Sequence, residues 1–172
     1  MPTIAVIIPN YNHGHLIEKS ILSTFEQSVP PDEIIVIDDA STDDSVRRLK
    51  KLKQKIPMLK LIFFKENQGA LRAGNFGAQN AKSEILMFRA ADDILPPRSI
   101  ENGINAFVKY SNSKIAFGEI LFFCENTSGG TVETLALSEE TEFFPADSLL
   151  RLWKADFNLP EPACFVKKSD FL

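Results

Sequence analysis

Two pairs of adjacent carboxylates stand out by where they fall. Asp38 and Asp39 directly follow the apolar run EIIVI (33–37), and Asp92 and Asp93 come shortly after EILMF (84–88), just ahead of Pro96 and Pro97. A third apolar run, TIAVII (3–8), leads into Pro9-Asn10-Tyr11-Asn12. Four carboxylates gathered at one place repel: at about 4 Å and an effective dielectric near 20, each like-charged pair costs on the order of 4 kcal/mol. A divalent cation relieves that repulsion, as does separation into distinct subsites. Hard oxygen ligands suit Mg²⁺ or Mn²⁺, and Mg²⁺ is commonly held by one or two carboxylates together with substrate phosphates. Such a cation lets an acidic pocket accept an anionic diphosphate and stabilises charge on a departing phosphate oxygen. A flat ring such as Tyr11, beside a carboxylate that accepts an N–H, would suit a nucleobase.

For these residues to meet, the chain must bring the ends of several strands to one edge. TIAVII is followed by helical spacing of Ile17, Ile21 and Phe25, and EIIVI by a helix capped at Ser41 or Thr42 with Val46, Leu49, Leu52 and Ile56 inward. LKLIFF (59–64) precedes a helix beginning near Ala70, and EILMF closes the series. Short strands apolar on both faces, alternating with amphipathic helices, predict an α/β fold with a mostly parallel sheet flanked by helices. Right-handed crossovers then place every strand C-terminus on one edge, where ligands of such sheets bind. The residues after strands 1, 2 and 4 are therefore expected to converge.

Beyond Pro97 the pattern changes. PPRSIENGINAFVKYS reads as a helix with Pro97 in its first turn and KIAFGEILFFCEN as a long strand. TSGG reads as a turn, TVETLAL as a return strand, PADSLLRLWKADF as a helix and ACFVKK as a short strand, which predicts an antiparallel C-terminal portion. SDFL resembles a helix opening with Ser169 as N-cap, so a single, C-terminally truncated domain over 1–172 is expected.

Composition narrows the function classes. The 172 residues, 44% hydrophobic, suffice for one core, and a net charge of −4 argues against nucleic acid as a partner. The apolar run Ile4–Ile8 falls far short of a membrane span and has no basic leader, so a cytoplasmic protein is expected. Cys124 and Cys164 lack metal-site spacing. The basic run RRLKKLKQK (47–55) reads as a solvated helix face, with association to a membrane surface or an anionic partner as its alternative. His13 and His15 read as surface or capping residues, and Trp153 with its leucine neighbours as core. Each acidic pair also has a plain reading, Asp38 and Asp39 as helix caps and Asp92 and Asp93 as turn residues.

Three ordered segments, AVIIPNYNHGHLIEKSILSTFEQS, EIIVIDDASTDDS and NQGALRAGNFGAQNAKSEILMFRAADDILPP, resemble the nucleotide-sugar-binding half of family 2 glycosyltransferases with the GT-A (Rossmann-like) fold. The resemblance implies transfer of a sugar from a nucleotide-diphosphate sugar, most simply a UDP-sugar, to a saccharide or other acceptor hydroxyl with inversion and metal assistance. It implies that Pro9 and Tyr11 frame the nucleobase, that Asp39, beside Asp38, reads it, and that Asn67, Gly69, Arg72 and Asn75 line the diphosphate and sugar. Asp92 and Asp93 match the end of the metal motif for Mn²⁺ or Mg²⁺; the family often reads Asp-x-Asp-Asp there, and Ala90 takes the first place in this chain. Residues 1–97 would form the donor half and 98–172 the start of an acceptor half, with the catalytic base expected beyond Leu172. Two alternatives stand beside this reading: a nucleotide-sugar-binding domain without catalysis, and a response-regulator-like module suggested by VIDDAS. The latter lacks an Asp after strand 3, where the chain reads KENQG.

Overall fold

The computed structural model describes residues 1–117 and 164–172. TSGG, TVETLAL, PADSLLRLWKADF with Trp153, and most of KIAFGEILFFCEN lie outside the described residues. Within them the elements run β1 (Ile4–Asn10), α1 (Gly14–Phe25), β2 (Glu33–Asp38), α2 (Ser45–Lys53), β3 (Leu59–Phe63), α3 (Ala70–Asn80), β4 (Ile85–Phe88), α4 (Ser99–Lys109), β5 (Ile115–Phe117), β6 (Cys164–Lys167) and α5 (Lys168–Phe171). They build one sheet in the order β3-β2-β1-β4-β6-β5. β1 through β4 pair in parallel, while β6 is antiparallel to both β4 and β5, as the sequence pattern predicts.

Burial on both faces explains why these strands read as continuous apolar runs. All six residues of β2 are buried. Along β1 the even positions Ile4, Val6 and Ile8 join Ile17, Ile21, Leu49, Leu52, Ile100, Ile104 and Phe107 in one core, which places α1, α2 and α4 on that face. Ala5 and Ile7 join Ile35, Ile37, Ala73 and Ala78 in a second core beneath α3. Each fully buried Ile or Val side chain is worth roughly 1.5–3 kcal/mol in removed apolar surface, so the two cores carry the fold. α3 lies close to the sheet because its inner face is small: a Cβ on Gly77 would sit 2.6 Å from Ile7 Cγ2 and 2.7 Å from Ile37 Cδ1.

Several element limits differ from those predicted. β1 continues through Pro9 to Asn10. The ladder shows why: odd residues of β1 bond toward β4, with the Ile85 and Arg89 N–H groups donating to the Thr3 and Ile7 carbonyls, and even residues bond toward β2. Pro9, which has no N–H, therefore faces the side where β4 has already ended at Phe88, and no ladder bond is lost. α2 starts at Ser45, beyond Ser41 and Thr42, because both of those residues are engaged with the loop after β1. α4 starts at Ser99 after Arg98 in the left-handed region (φ 69°), which leaves Pro97 outside the helix. α5 starts at Lys168, so Ser169 lies inside its first turn and does not cap it.

Candidate functional site

β1 lies between β2 on one side and β4 on the other, so the chain reverses its direction of travel across the sheet at β1 and β4. Ligands of open parallel sheets bind outside the strand C-termini at such a switch point. The loops after β1, β2 and β3 are tied together there. Asp38, buried, accepts from Asn10 Nδ2 (2.7 Å) and from the Ser41 N–H (3.0 Å). The Asp39 N–H donates to the Asn10 carbonyl at 2.8 Å. Ser41 Oγ accepts from the Asn12 N–H (2.9 Å), and Asn12 Oδ1 accepts from the Thr42 N–H (2.7 Å). Asp43 accepts from the Gly14 and Ser45 N–H groups, closing the N-termini of α1 and α2 against each other.

Asp39 reaches the third loop. Its two oxygens accept from the Gln68 N–H (2.8 Å) and the Gly69 N–H (2.7 Å), which draws the Asn67–Gly69 segment to the end of β2. Gly69 takes φ 87°, the left-handed region that glycine enters without a steric penalty, and α3 begins at the next residue. α3 then passes over β1 and β4: a Cβ on Gly74 would lie 3.7 Å from Pro9 and 3.8 Å from the Phe88 ring. Arg72 and Asn75, flanking that contact on α3, are exposed. Tyr11 stands 44% exposed after β1. Pro9, Tyr11, Asp38, Asp39 and Gly69 are thus linked through one set of loops, with Asn67 at its margin.

The fourth loop follows β4. Asp92 is exposed and Asp93 half-buried, and Asp93 Oδ2 accepts from the Ala90 N–H at 3.2 Å. Burial pushes the Asp93 carboxyl above its ordinary value; Asp92 adds to that push, and the Ala90 N–H and the Arg89 guanidinium oppose it. Among the described residues no group of three or more His, Cys, Asp or Glu side chains could hold a metal ion. Two carboxylates on a turn instead match a Mg²⁺ or Mn²⁺ ion that takes its remaining ligands from phosphate oxygens and water. The donor set is all oxygen, two carboxylates against the single Arg89 guanidinium, and it fits such an ion.

Sequence reasoning placed Asn10, Asn12 and Ser41 at this edge but gave their side chains no part in joining loops that lie 28 to 30 residues apart, and it missed Arg89. That arginine is 3% exposed under the Asp92–Asp93 turn. An arginine directly after a buried strand and just before two carboxylates was the available signal.

The comparisons with known proteins agree with one another. Residues 5–166 match the model for Glycosyl transferase family 2. An uncharacterized glycosyltransferase of Haemophilus influenzae is 30% identical over 143 residues, covering 83% of this chain and 56% of that protein. A Campylobacter jejuni GalNAc(5)-diNAcBac-PP-undecaprenol beta-1,3-glucosyltransferase is 29% identical over 161 residues, covering 91% and 50%. The chain thus spans about half the length of these two relatives. Among solved structures, S. aureus TarS in complex with UDP-GlcNAc shares the fold at a TM-score of 0.74 and 21% identity, over 97% of this chain and 46% of that one. The mannosyltransferase PcManGT from Pyrobaculum calidifontis, in complex with GDP-Man and Mn²⁺, matches at a TM-score of 0.61 and 28% identity, over 69% and 35%.

Proposed function

Because the chain belongs to glycosyltransferase family 2, we propose that it binds a nucleotide-diphosphate sugar at the switch-point edge and supports inverting transfer of the sugar to an acceptor hydroxyl. The observation that carries this reading is the joining of the loops after β1, β2 and β3 through Asp38 and Asp39 at the edge that also bears the Asp92–Asp93 turn. In this reading Pro9 and the exposed Tyr11 frame the base. Asp39 keeps lone pairs beyond the two amides it accepts and reads a base N–H, while Asp38 holds its loop in place. Asn67, Gly69, Arg72 and Asn75 face the diphosphate and sugar, and Arg72 supplies a planar donor fork suited to phosphate.

Asp92 and Asp93 would hold Mn²⁺ or Mg²⁺, an ion that neutralises the diphosphate and the charge on the leaving phosphate. The structural neighbour solved with GDP-Man and Mn²⁺ supports a metal beside the nucleotide sugar. Inversion also requires a base within hydrogen-bond reach of the acceptor hydroxyl, and none of the described residues is assigned that role.

Calorimetric titration with UDP-GlcNAc and with GDP-Man, each with and without Mn²⁺, tests the proposal. Saturable heat that needs Mn²⁺ and disappears with a chelator is expected for at least one donor. Absence of heat for a full panel of UDP-, dTDP- and GDP-sugars at millimolar concentration overturns it. A second reading, binding without transfer, is favoured by Ala90 at the place where the family often has Asp; a bound donor that is neither hydrolysed nor transferred would select it.

A further inference from the structure

Arg89 is the first residue after β4, and its guanidinium is buried beneath the Asp92–Asp93 turn. Nη1 donates to Thr24 Oγ1 on α1, and Nη2 donates to the main-chain carbonyl of Asp93. Nε is buried without a partner. Burial pulls the guanidinium down to about 10, against the opposing pull of Asp93 and Asp92, so it remains charged at neutral pH. The same end of α1 holds the rest of the turn. Ser23 Oγ accepts from the Leu95 N–H at 3.0 Å. Gln27 Nε2 donates to the Pro96 carbonyl at 2.8 Å, and Gln27 Oε1 accepts from the Ile100 N–H at 3.3 Å.

Stability does not call for this arrangement. A buried cation is costly to desolvate, and an apolar side chain of similar volume commonly serves a core as well or better. What the guanidinium adds is a rigid, planar fork that reaches two acceptors on different elements at once, which a lysine ammonium on a flexible stem does not reproduce. Its two acceptors are a helix side chain and the backbone of the residue whose carboxylate the proposed function gives to the metal. Its charge attracts both carboxylates.

We infer that Arg89 is a positioning residue for the metal–diphosphate site, clamping the Asp92–Asp93 turn to Thr24 of α1 so that the two carboxylates are presented together. This inference rests on the reading of Asp92 and Asp93 as metal carboxylates given above. Arg89 touches neither ion nor donor; it acts through the turn.

The test compares the parent protein with Arg89→Lys, titrating UDP and GDP with and without Mn²⁺ and following amide exchange along the chain. The lysine variant keeps the charge and loses the fork. It is expected to lower the Mn²⁺-dependent gain in nucleotide affinity by about tenfold, the scale of lost outer-sphere support at metal sites, while affinity without Mn²⁺ stays unchanged. The Ala90, Asp93 and Leu95 amides should exchange faster, with the β1 and β2 amides unaffected. A lysine variant with an undiminished Mn²⁺-dependent gain, or with equal loss in the presence and absence of Mn²⁺, overturns the inference. If the parent gains nothing from Mn²⁺, the metal reading fails by itself, and the exchange of the turn decides whether Arg89 clamps it. Should Arg89→Lys not fold, Thr24→Val removes the acceptor on α1 and is expected to move both readouts in the same direction; unchanged readouts there count against the clamp.

Discussion

Asp93 is asked to be a ligand in a place that disfavours its charge. Its folded-state acidity is weakened by burial first and by Asp92 second. A carboxyl whose folded pKa is raised adds stability below its unfolded pKa, and that contribution is lost as pH rises through the folded value. At neutral pH the ionised group therefore works against the fold. Asp93→Asn keeps an acceptor for the Ala90 N–H and removes the charge, so it is expected to melt at or above the parent temperature while losing Mn²⁺-dependent nucleotide binding. An Asn variant that binds nucleotide and Mn²⁺ like the parent would return Asp93 to the role of a turn residue. Ala40 presents the opposite case, strain without charge. It sits at φ 61° between Asp39 and Ser41, and that left-handed step turns the Ser41 N–H back onto Asp38. Ala40→Gly relieves the steric cost and should raise unfolding free energy by about 0.5–1 kcal/mol in urea titration; a loss would show that the Ala40 methyl packs favourably. Neither feature is readable from residue types, since an alanine gives no sign of positive φ and an aspartate gives no sign of its burial.

At the scale of elements, the strands and most helices were legible because the signal is periodicity, and a sheet buried on two faces enforces it on β1, β2 and β4. Helix starts were less legible. Ser41 and Thr42 look like caps, but their cross-loop bonds to Asn12 claim them, and α2 waits for Ser45. Such bonds join residues about 30 positions apart and leave no local pattern. Glycines within α3 show how packing gives meaning to residues that sequence leaves ambiguous. A methyl on Gly77 collides with Ile7 and Ile37 of the sheet, so Gly77→Ala should destabilise by about 1–3 kcal/mol through overpacking. A methyl on Gly74 meets Pro9 and Phe88 only at ordinary contact distance, and Gly74→Ala should be neutral or stabilising by up to about 1 kcal/mol through helix propensity. Equal effects of the two substitutions in chemical denaturation would mean that α3 is free to shift on the sheet.

Across the whole molecule, Asp92 and Asp93 at one end of the sheet and Glu33 at the other have different surroundings. The single guanidinium beneath the Asp92–Asp93 turn, Arg89, donates to Thr24 and to the Asp93 main chain, whereas Glu33 has partners on both carboxylate oxygens. Glu33 opens β2, and one of its oxygens accepts from the Lys82 N–H (2.8 Å), the Ser83 N–H (2.8 Å) and the Ser83 hydroxyl (2.6 Å). Its other oxygen meets the Lys60 ammonium of β3. The loop before β4 is thereby fastened to β2 and β3. Burial alone would raise the Glu33 carboxyl, but Lys60, Ser83 and the two amides outweigh it and hold the group at about 2, against 4.5 in the open chain. A depressed carboxyl contributes stability that is fully present above its unfolded pKa and is lost as pH falls through its folded one. Glu33 is therefore expected to contribute about 2 kcal/mol at neutral pH, after a discount for the half-exposed Lys60, and to surrender it between pH 4.5 and 2. Unfolding free energy measured over that window should fall for the parent and stay flatter for Glu33→Gln, with the two proteins converging near the acid end. The same substitution should leave Mn²⁺-dependent nucleotide affinity at neutral pH unchanged, because Glu33 lies at the opposite end of β2 from Asp38 and Asp39. Parallel acid profiles for the two proteins would remove Glu33 as the source of acid sensitivity, and weakened nucleotide binding in the variant would show that the two edges are coupled through β2.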